Sequence, residues 1–380
     1  MPRRILLVVI LCLAICRTSF GWAYQGHILI TRLAALRIIN DPSAPEGLRE
    51  FLKLNDPHTT ADCQSLATKE TVGPFPQNDP QYDRGLDHWC TMPDQVRILP
   101  EGRIKIPPYG QGEAPMHYLD LEAFAPTFVY KDDLSNKPDV NQIPHDLSDP
   151  RWKVGGYVPW RVEEMFHKFA ADIGPGATVA KPQDALRAAG YLAHYVEDST
   201  QPHHATVDYN SISYLAGHVA GIPVTTQPGS AVLAAMRLPR GINPHGDIEF
   251  RLFDDAEPPR DQYRQEYWDD LLADLDKFSK NDSVQMTPLA IEKFDPFRWD
   301  LHILADSYDF LPFVGHAAQA AYANGPFDAQ AFFTYEGAAH EQEMSMIQVI
   351  ALQNAKAVLH VERAYRLAWM EAHGPHAGAN

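Results

Sequence analysis

Apolar residues recur at three- and four-residue spacings in HILITRLAALRII (27–39), WRVEEMFHKFAADI (160–173), QDALRAAGYLAHYVED (183–198) and DQYRQEYWDDLLADLDKF (261–278). The same spacing runs through AQAFFTYEGAAHEQ (329–342) and EQEMSMIQVIALQNAKAVLHVERAYRLAWMEA (341–372). That period predicts amphipathic helices with one face turned to a core. Clean alternation of apolar and polar positions, the mark of a half-buried strand, is scarce. Between the helices lie irregular stretches, 55–155 rich in Pro, Asp and Gly, and 221–247 punctuated by Gly and Pro. Loops this long in a compact protein usually carry a site. The expectation is an all-α fold: one multi-helix domain over 22–380 with long functional loops and no internal repeat.

The first residues fall outside that pattern. MPRRILLVVILCLAICRTSFG (1–21) sets two arginines before an apolar run and ends on small residues, which reads as a secretory signal peptide. No other segment approaches the length of a membrane span. Export to the periplasm or beyond is therefore expected. Cleavage removes three arginines and no acid, taking the formal charge from −17 to −20. A chain so acidic has no general electrostatic pull on nucleic acid or anionic lipid. A phosphodiester substrate is still compatible with it if the site carries its own cations, and bound divalent metals are such cations. Of four cysteines, Cys63 and Cys90 would remain after cleavage, and in an oxidising compartment they are expected to pair.

Seventeen histidines make a metal site worth testing. In HYVEDSTQPHH (194–204), His194 and Asp198 stand at i and i+4, one above the other on a helix face. Pro202 ends that helix and sends His203 and His204 on a new heading. Imidazole and carboxylate together suit zinc, although a capped helix end with surface histidines would look the same. His245 and Glu249 in NPHGDIEF repeat the i,i+4 spacing, which is commonplace on exposed helices. His117 in PMHYLDL reads equally as a half-buried core histidine, and Asp94 with Arg97 in PDQVR equally as a surface ion pair. Cleavage after Gly21 would make Trp22 the first mature residue of WAYQGH, five positions before His27. A free α-amino group there is a nitrogen donor that no internal residue can replace.

Taken together and in order, WAYQGH, PDQVR, MHYLD, HYVEDSTQPHH and HGDIE make the chain similar to the zinc-dependent phospholipase C / S1–P1 nuclease superfamily. The resemblance covers roughly 22–250, and the C-terminal helices add only generic helical character. It implies a secreted all-helical phosphodiesterase holding three zinc ions. It also implies how the ligands divide. Asp94, His117 and His194 would hold one zinc, with Asp198 bridging to a second that the Trp22 backbone and His27 complete. His204, His245 and Glu249 would hold the third, with His203 outside the ligand set. Asp94 would also steady the attacking water, and Arg97 would contact a phosphate oxygen.

The chain departs from the family pattern in two places. Glu197 stands where relatives usually have Gly or Thr. The gap from His204 to His245 is long, yet His218 lies nearer the usual distance with Ile222 in place of a carboxylate, which leaves His245 and Glu249 preferred. His340 with Glu343 reads as a solvated helix face. As for substrate, WAYQGH, PDQVR and MHYLD look like the nucleases, whereas PHHATVDYN and Glu249 look like the phospholipases. No basic strip with interleaved aromatics marks a nucleic-acid track. The reading preferred is hydrolysis of a phospholipid head group, with transient membrane contact and no stable protein partner. Cleavage of single-stranded DNA or RNA is the alternative, and a non-catalytic exported zinc-binding protein is the third.

Overall fold

The structure is a computed structural model. It describes residues 22–55, 85–96, 99, 112–125, 134, 137–175, 182–219, 222, 238–239, 241–253, 260–280, 293–339 and 342–374. The signal segment 1–21, Cys63 and Arg97 lie outside the described residues.

The longer helices are α1 (Ala23–Asn40), α2 (Glu46–Asn55), α3 (Val158–Asp172), α4 (Pro182–Ser199) and α5 (Pro244–Phe253). They continue with α6 (Arg260–Lys280), α7 (Pro296–Tyr308), α8 (Leu311–Tyr322) and α9 (Met346–His373). The protein is mostly helical, as its apolar spacing predicted. The chain marks the helix starts locally. Asp295 caps α7 by accepting from the Arg298 backbone N–H, and Ser345 and Gln348 form a reciprocal capping box at the head of α9.

The buried hydrophobic residues form one cluster reaching from Trp22 to Trp369. α4 runs through it, packing on α1, α3 and α9. Its Ala185, Ala188, Ala189 and Ala193 are fully buried, so the neighbouring helices come close. Gly190 takes this furthest: a Cβ there would lie 2.4 Å from the Trp89 Cβ and 2.8 Å from the Cys90 nitrogen. The absent side chain lets the one-turn helix Leu86–Trp89 lie directly on α4. That approach matters below, because Cys90 reaches His194. Among the described residues no helix is long and apolar enough to cross a membrane.

One expectation needs correction. The helix expected over 329–342 stops at Phe333; Glu336–Ala339 (β1) and Gln342–Ser345 (β2) instead pair as an antiparallel hairpin. Tyr335 leaves the helical path to lie edge-on against Phe313, with ring centres 5.2 Å apart, and its carbonyl accepts from the Met346 N–H. The capping box then starts α9 at Met346 rather than at 341. A tertiary aromatic contact and a local cap thus override a continuous helical period. Among the described residues Cys90 is a free, buried thiol 3.3 Å from the Asp87 carbonyl; Cys63, its expected partner, lies outside them. Burial pushes that thiol well above its ordinary range.

Candidate metal centre

α1 and α4 build one wall of the site, and shorter segments complete it. α1 contributes His27, the one-turn helix Met92–Gln95 contributes Asp94, and the end of a 3₁₀ turn contributes His117. His194 and Asp198 sit one turn apart near the end of α4. There the helix gives way to a 3₁₀ turn, Pro202–Ala205, which carries His204 on a different heading. Gln201 caps that turn, its side chain accepting from the His203 N–H 2.5 Å away. α5 supplies His245 and Glu249. All eight side chains are buried.

Three groups emerge that could each hold a metal ion: His27 with His194 and Asp198, Asp94 with His117 and His194, and His204 with His245 and Glu249. In the second, Asp94 Oδ1 lies 3.6 Å from both His117 Nδ1 and His194 Nε2. Asp198 Oδ2 lies 2.9 Å from His117 Nδ1 and 3.3 Å from His194 Nε2. Its other oxygen faces His27 Nε2 at 3.6 Å, so Asp198 stands between the first two groups. In the third, Glu249 Oε1 is 2.8 Å from His245 Nε2 and 3.3 Å from His204 Nε2. Ligands around a tetrahedral ion bonded at zinc–nitrogen distances are about 3.3 Å apart. The observed separations straddle that value.

A second observation supports the fit. Buried polar atoms are nearly always hydrogen-bonded. Here His27 Nε2, both Asp94 oxygens, Asp198 Oδ1 and Glu249 Oε2 are buried without a hydrogen-bond partner. They belong to the same residues that make up the three groups, and each would be satisfied by a cation. The donors are imidazole nitrogens and carboxylate oxygens with no thiolate, a set suited to zinc and to other divalent transition metals.

Electrostatics point the same way. Burial holds His27 well below its ordinary range, with His194 beside it adding to the effect. His194 is opposite: burial would depress it, but Asp198 and Asp94 outweigh that and push it up to about 9. Burial lifts Asp94 far above the usual carboxylate range and Glu249 to about 8. Asp198 resists burial through His194 and His204 and stays low. Carboxylates so stripped of water are strong ligands for any cation that reaches them.

The remaining candidates fall as follows. Trp22 is buried beside the end of α4, its indole N–H donating to the Glu197 carbonyl at 3.0 Å and the Thr200 hydroxyl at 3.1 Å. Ala23, which joins it to α1, adopts φ +55°, a left-handed conformation that costs a non-glycine residue about 1 kcal/mol. His203 is in none of the three groups; its Nε2 meets the Ser211 hydroxyl at 2.9 Å while its ring stacks near His245. His218 is exposed and Ile222 buried. At the rim Tyr209 is 48% exposed, its ring edge-on to His245 with centres 5.8 Å apart.

Sequence reading overlooked Gln201 and left Glu197 without a role. Gln201 Nε2 donates to Glu249 Oε1 at 2.9 Å, steadying a carboxylate 48 residues away. Glu197, the unexplained acid in HYVED, is fully buried 2.5 Å from His27 Nδ1.

No protein-family model matches this chain, and no curated protein matches it. Among solved structures it is similar to the alpha-toxin of Clostridium perfringens, isolated from avian strain SWCP, at 12% identity and a TM-score of 0.35. The alignment covers 93% of this chain, which spans 64% of the length of that one. A likeness this loose assigns neither a family nor a residue's role.

Proposed function

We propose that this chain is a secreted zinc-dependent phosphodiesterase of the phospholipase C type. The observation that carries the reading is the convergence of three buried His/Asp/Glu groups in which His27 Nε2, both Asp94 oxygens, Asp198 Oδ1 and Glu249 Oε2 lack hydrogen-bond partners. A structural zinc site is usually closed by four protein ligands and favours cysteine. Here none of the groups contains cysteine, and His204, His245 and Glu249 are only three side chains, which leaves room at that ion for water or substrate.

Asp94, His117 and His194 would hold one ion, and His27 with the Trp22 backbone a second, with Asp198 shared between them. His204, His245 and Glu249 would hold the third. Zinc bound in such a cluster supplies a water acidic enough to ionise near neutral pH and a Lewis acid for phosphate oxygens. The chain's residues do the rest. Asp94 faces both His27 and the His117–His194 pair, where its carboxylate can take up the proton of an attacking water. Cys90 and His117 hold the rings of His194 and His204 through their backbone carbonyls, each 2.7 Å from Nδ1, so that Nε2 faces the acids. Arg97, beyond the described residues, is assigned to a phosphate oxygen.

The phospholipid reading draws on the PHHATVDYN continuation and on Glu249, where the alternative would favour aspartate. Cleavage of single-stranded nucleic acid is the second reading, favoured by WAYQGH, PDQVR and MHYLD. The test is parallel assay of phosphatidylcholine, single-stranded DNA and RNA with the signal segment removed. Hydrolysis of phosphatidylcholine that stops on chelation and returns with zinc is expected. Turnover that survives complete chelation overturns the metal reading, and hydrolysis confined to nucleic acid overturns the substrate. One extra residue ahead of Trp22 should abolish turnover, and unchanged turnover would remove the terminal amine from the ligand set.

A further inference from the structure

Three histidines of the site are held from behind, and one of them differently. His194 Nδ1 lies 2.7 Å from the Cys90 carbonyl, and His204 Nδ1 2.7 Å from the His117 carbonyl. Both partners are neutral. His27 Nδ1 instead lies 2.5 Å from a carboxylate oxygen, Glu197 Oε2. The second oxygen of Glu197 accepts from the Thr31 hydroxyl at 2.7 Å. Thr31 is one turn along α1 from His27, so helix geometry puts both on the face that meets α4. Glu197 belongs to none of the three metal-capable groups, and its two oxygens are occupied by α1. Its backbone carbonyl, meanwhile, accepts from the Trp22 indole.

We infer that Glu197 is a positioning residue for the His27 ion, an inference that rests on His27 being a metal ligand. A carboxylate beside Nδ1 accepts the ring's N–H and fixes the tautomer in which Nε2 carries the free lone pair. That lone pair then faces Asp198 and Asp94, 3.6 and 3.9 Å away. A carboxylate behind a ligating histidine also makes the imidazole a stronger donor than a carbonyl does. Thr31 in turn orients the carboxylate. Through its carbonyl the same residue anchors Trp22, so one position of α4 braces both chain-start contributors to this ion. Glu197 touches neither metal nor substrate. It makes the His27 ion the one whose hold depends on a buried carboxyl group outside the ligand set.

The test is zinc binding by the metal-free full-length mature chain, read by competition with a chromophoric chelator, not by activity. Wild type should take up three equivalents. Glu197→Gln keeps size and one acceptor but can turn its NH₂ toward His27; one equivalent should weaken 10- to 100-fold while two are unchanged. Thr31→Val should weaken the same equivalent less. In a His27→Ala background, Glu197→Gln should weaken nothing further. Nitrogen-15 NMR of the metal-free protein should show His27 protonated at Nδ1 in wild type and a tautomer mixture in Glu197→Gln. Should that variant fold poorly, Thr31→Val and the wild-type tautomer carry the test. Three equivalents at wild-type affinity in both variants, or a wild-type His27 protonated at Nε2, overturn this inference alone. Equal weakening with and without His27 makes Glu197 a ligand and also overturns it. A wild type that takes up no zinc overturns the metal reading, and this one with it.

Discussion

Two clusters of buried charge flank α4, and they differ in one respect. On one side Glu113, Arg161 and Tyr195 form a closed knot. Glu113 accepts from Arg161 Nε at 2.7 Å and the Tyr195 hydroxyl at 2.8 Å through one oxygen, and from Arg161 and the Leu99 N–H through the other, both at 3.0 Å. Arg161 Nη1 donates to Glu164, 2.5 Å away. On the other side, starting from the adjacent His194, the candidate metal centre is as deeply buried but leaves both Asp94 oxygens, His27 Nε2 and Asp198 Oδ1 without partners. Burial and charge alone therefore do not distinguish a structural cluster from a binding one. Completeness of hydrogen bonding separates these two, because an unanswered buried polar group is costly unless something else answers it.

The difference can be broken by experiment. The largest effect expected is loss of all hydrolysis on chelation, restored by zinc, together with a lower melting temperature. Saturating one site at a thousandfold over its dissociation constant is worth about 4 kcal/mol. Next, Glu113→Ala should destabilise even the metal-free protein by about 3–5 kcal/mol in urea unfolding, since it strands Arg161. Asp94→Ala should leave metal-free stability level or raised, because it removes an unanswered carboxylate. Equal losses in the two variants would erase the distinction between the clusters.

Gly190→Ala comes next, at about 1–3 kcal/mol from overpacking. A Cβ there meets Trp89 and Cys90 backbone at 2.7–2.8 Å, and displacing Cys90 releases the His194 ring, so zinc affinity should fall as well. Unaltered zinc binding in a folded Gly190→Ala protein would detach that strut from the site.

A last test uses a control histidine that belongs to neither cluster. His360, on α9 against Trp299, is held down to about 3 by burial, only partly opposed by Asp306. Its pKa in the unfolded chain is about 6.5. The folded state therefore lags in proton uptake as pH falls from about 6.5 toward 3, and stability is lost in that window by about 1 kcal/mol per pH unit. His360→Leu should show a shallower acid limb in metal-free urea titrations between pH 6.5 and 4. An identical limb would assign the lost stability to other groups.

What could be read from the chain was whatever depends on neighbours within a turn or two. The helical period of α1, α3, α4, α6 and most of α9 is local, and so are the i,i+4 pairs His194–Asp198 and His245–Glu249. The break at Pro202, which separates His204 from His194, is local too. Where a distant contact competed, the local reading failed: with Tyr335 against Phe313, the helix expected over 329–342 stops at Phe333.

Tertiary structure alone decided which polar residues answer one another. Glu197 stands 170 residues from His27 and Glu113 48 from Arg161, and no spacing rule links such pairs. The sequence by itself determined a helical protein carrying histidine and carboxylate pairs at ligand spacing. The packing of α1, α4 and α5 determined that those pairs meet, which atoms stay unanswered, and that the odd acid of HYVED stands behind a ligand candidate and not among them. The physical reason is range. A helix turn sets directions over about 5 Å, whereas a buried charge is answered by whichever chain segment the core folds against it.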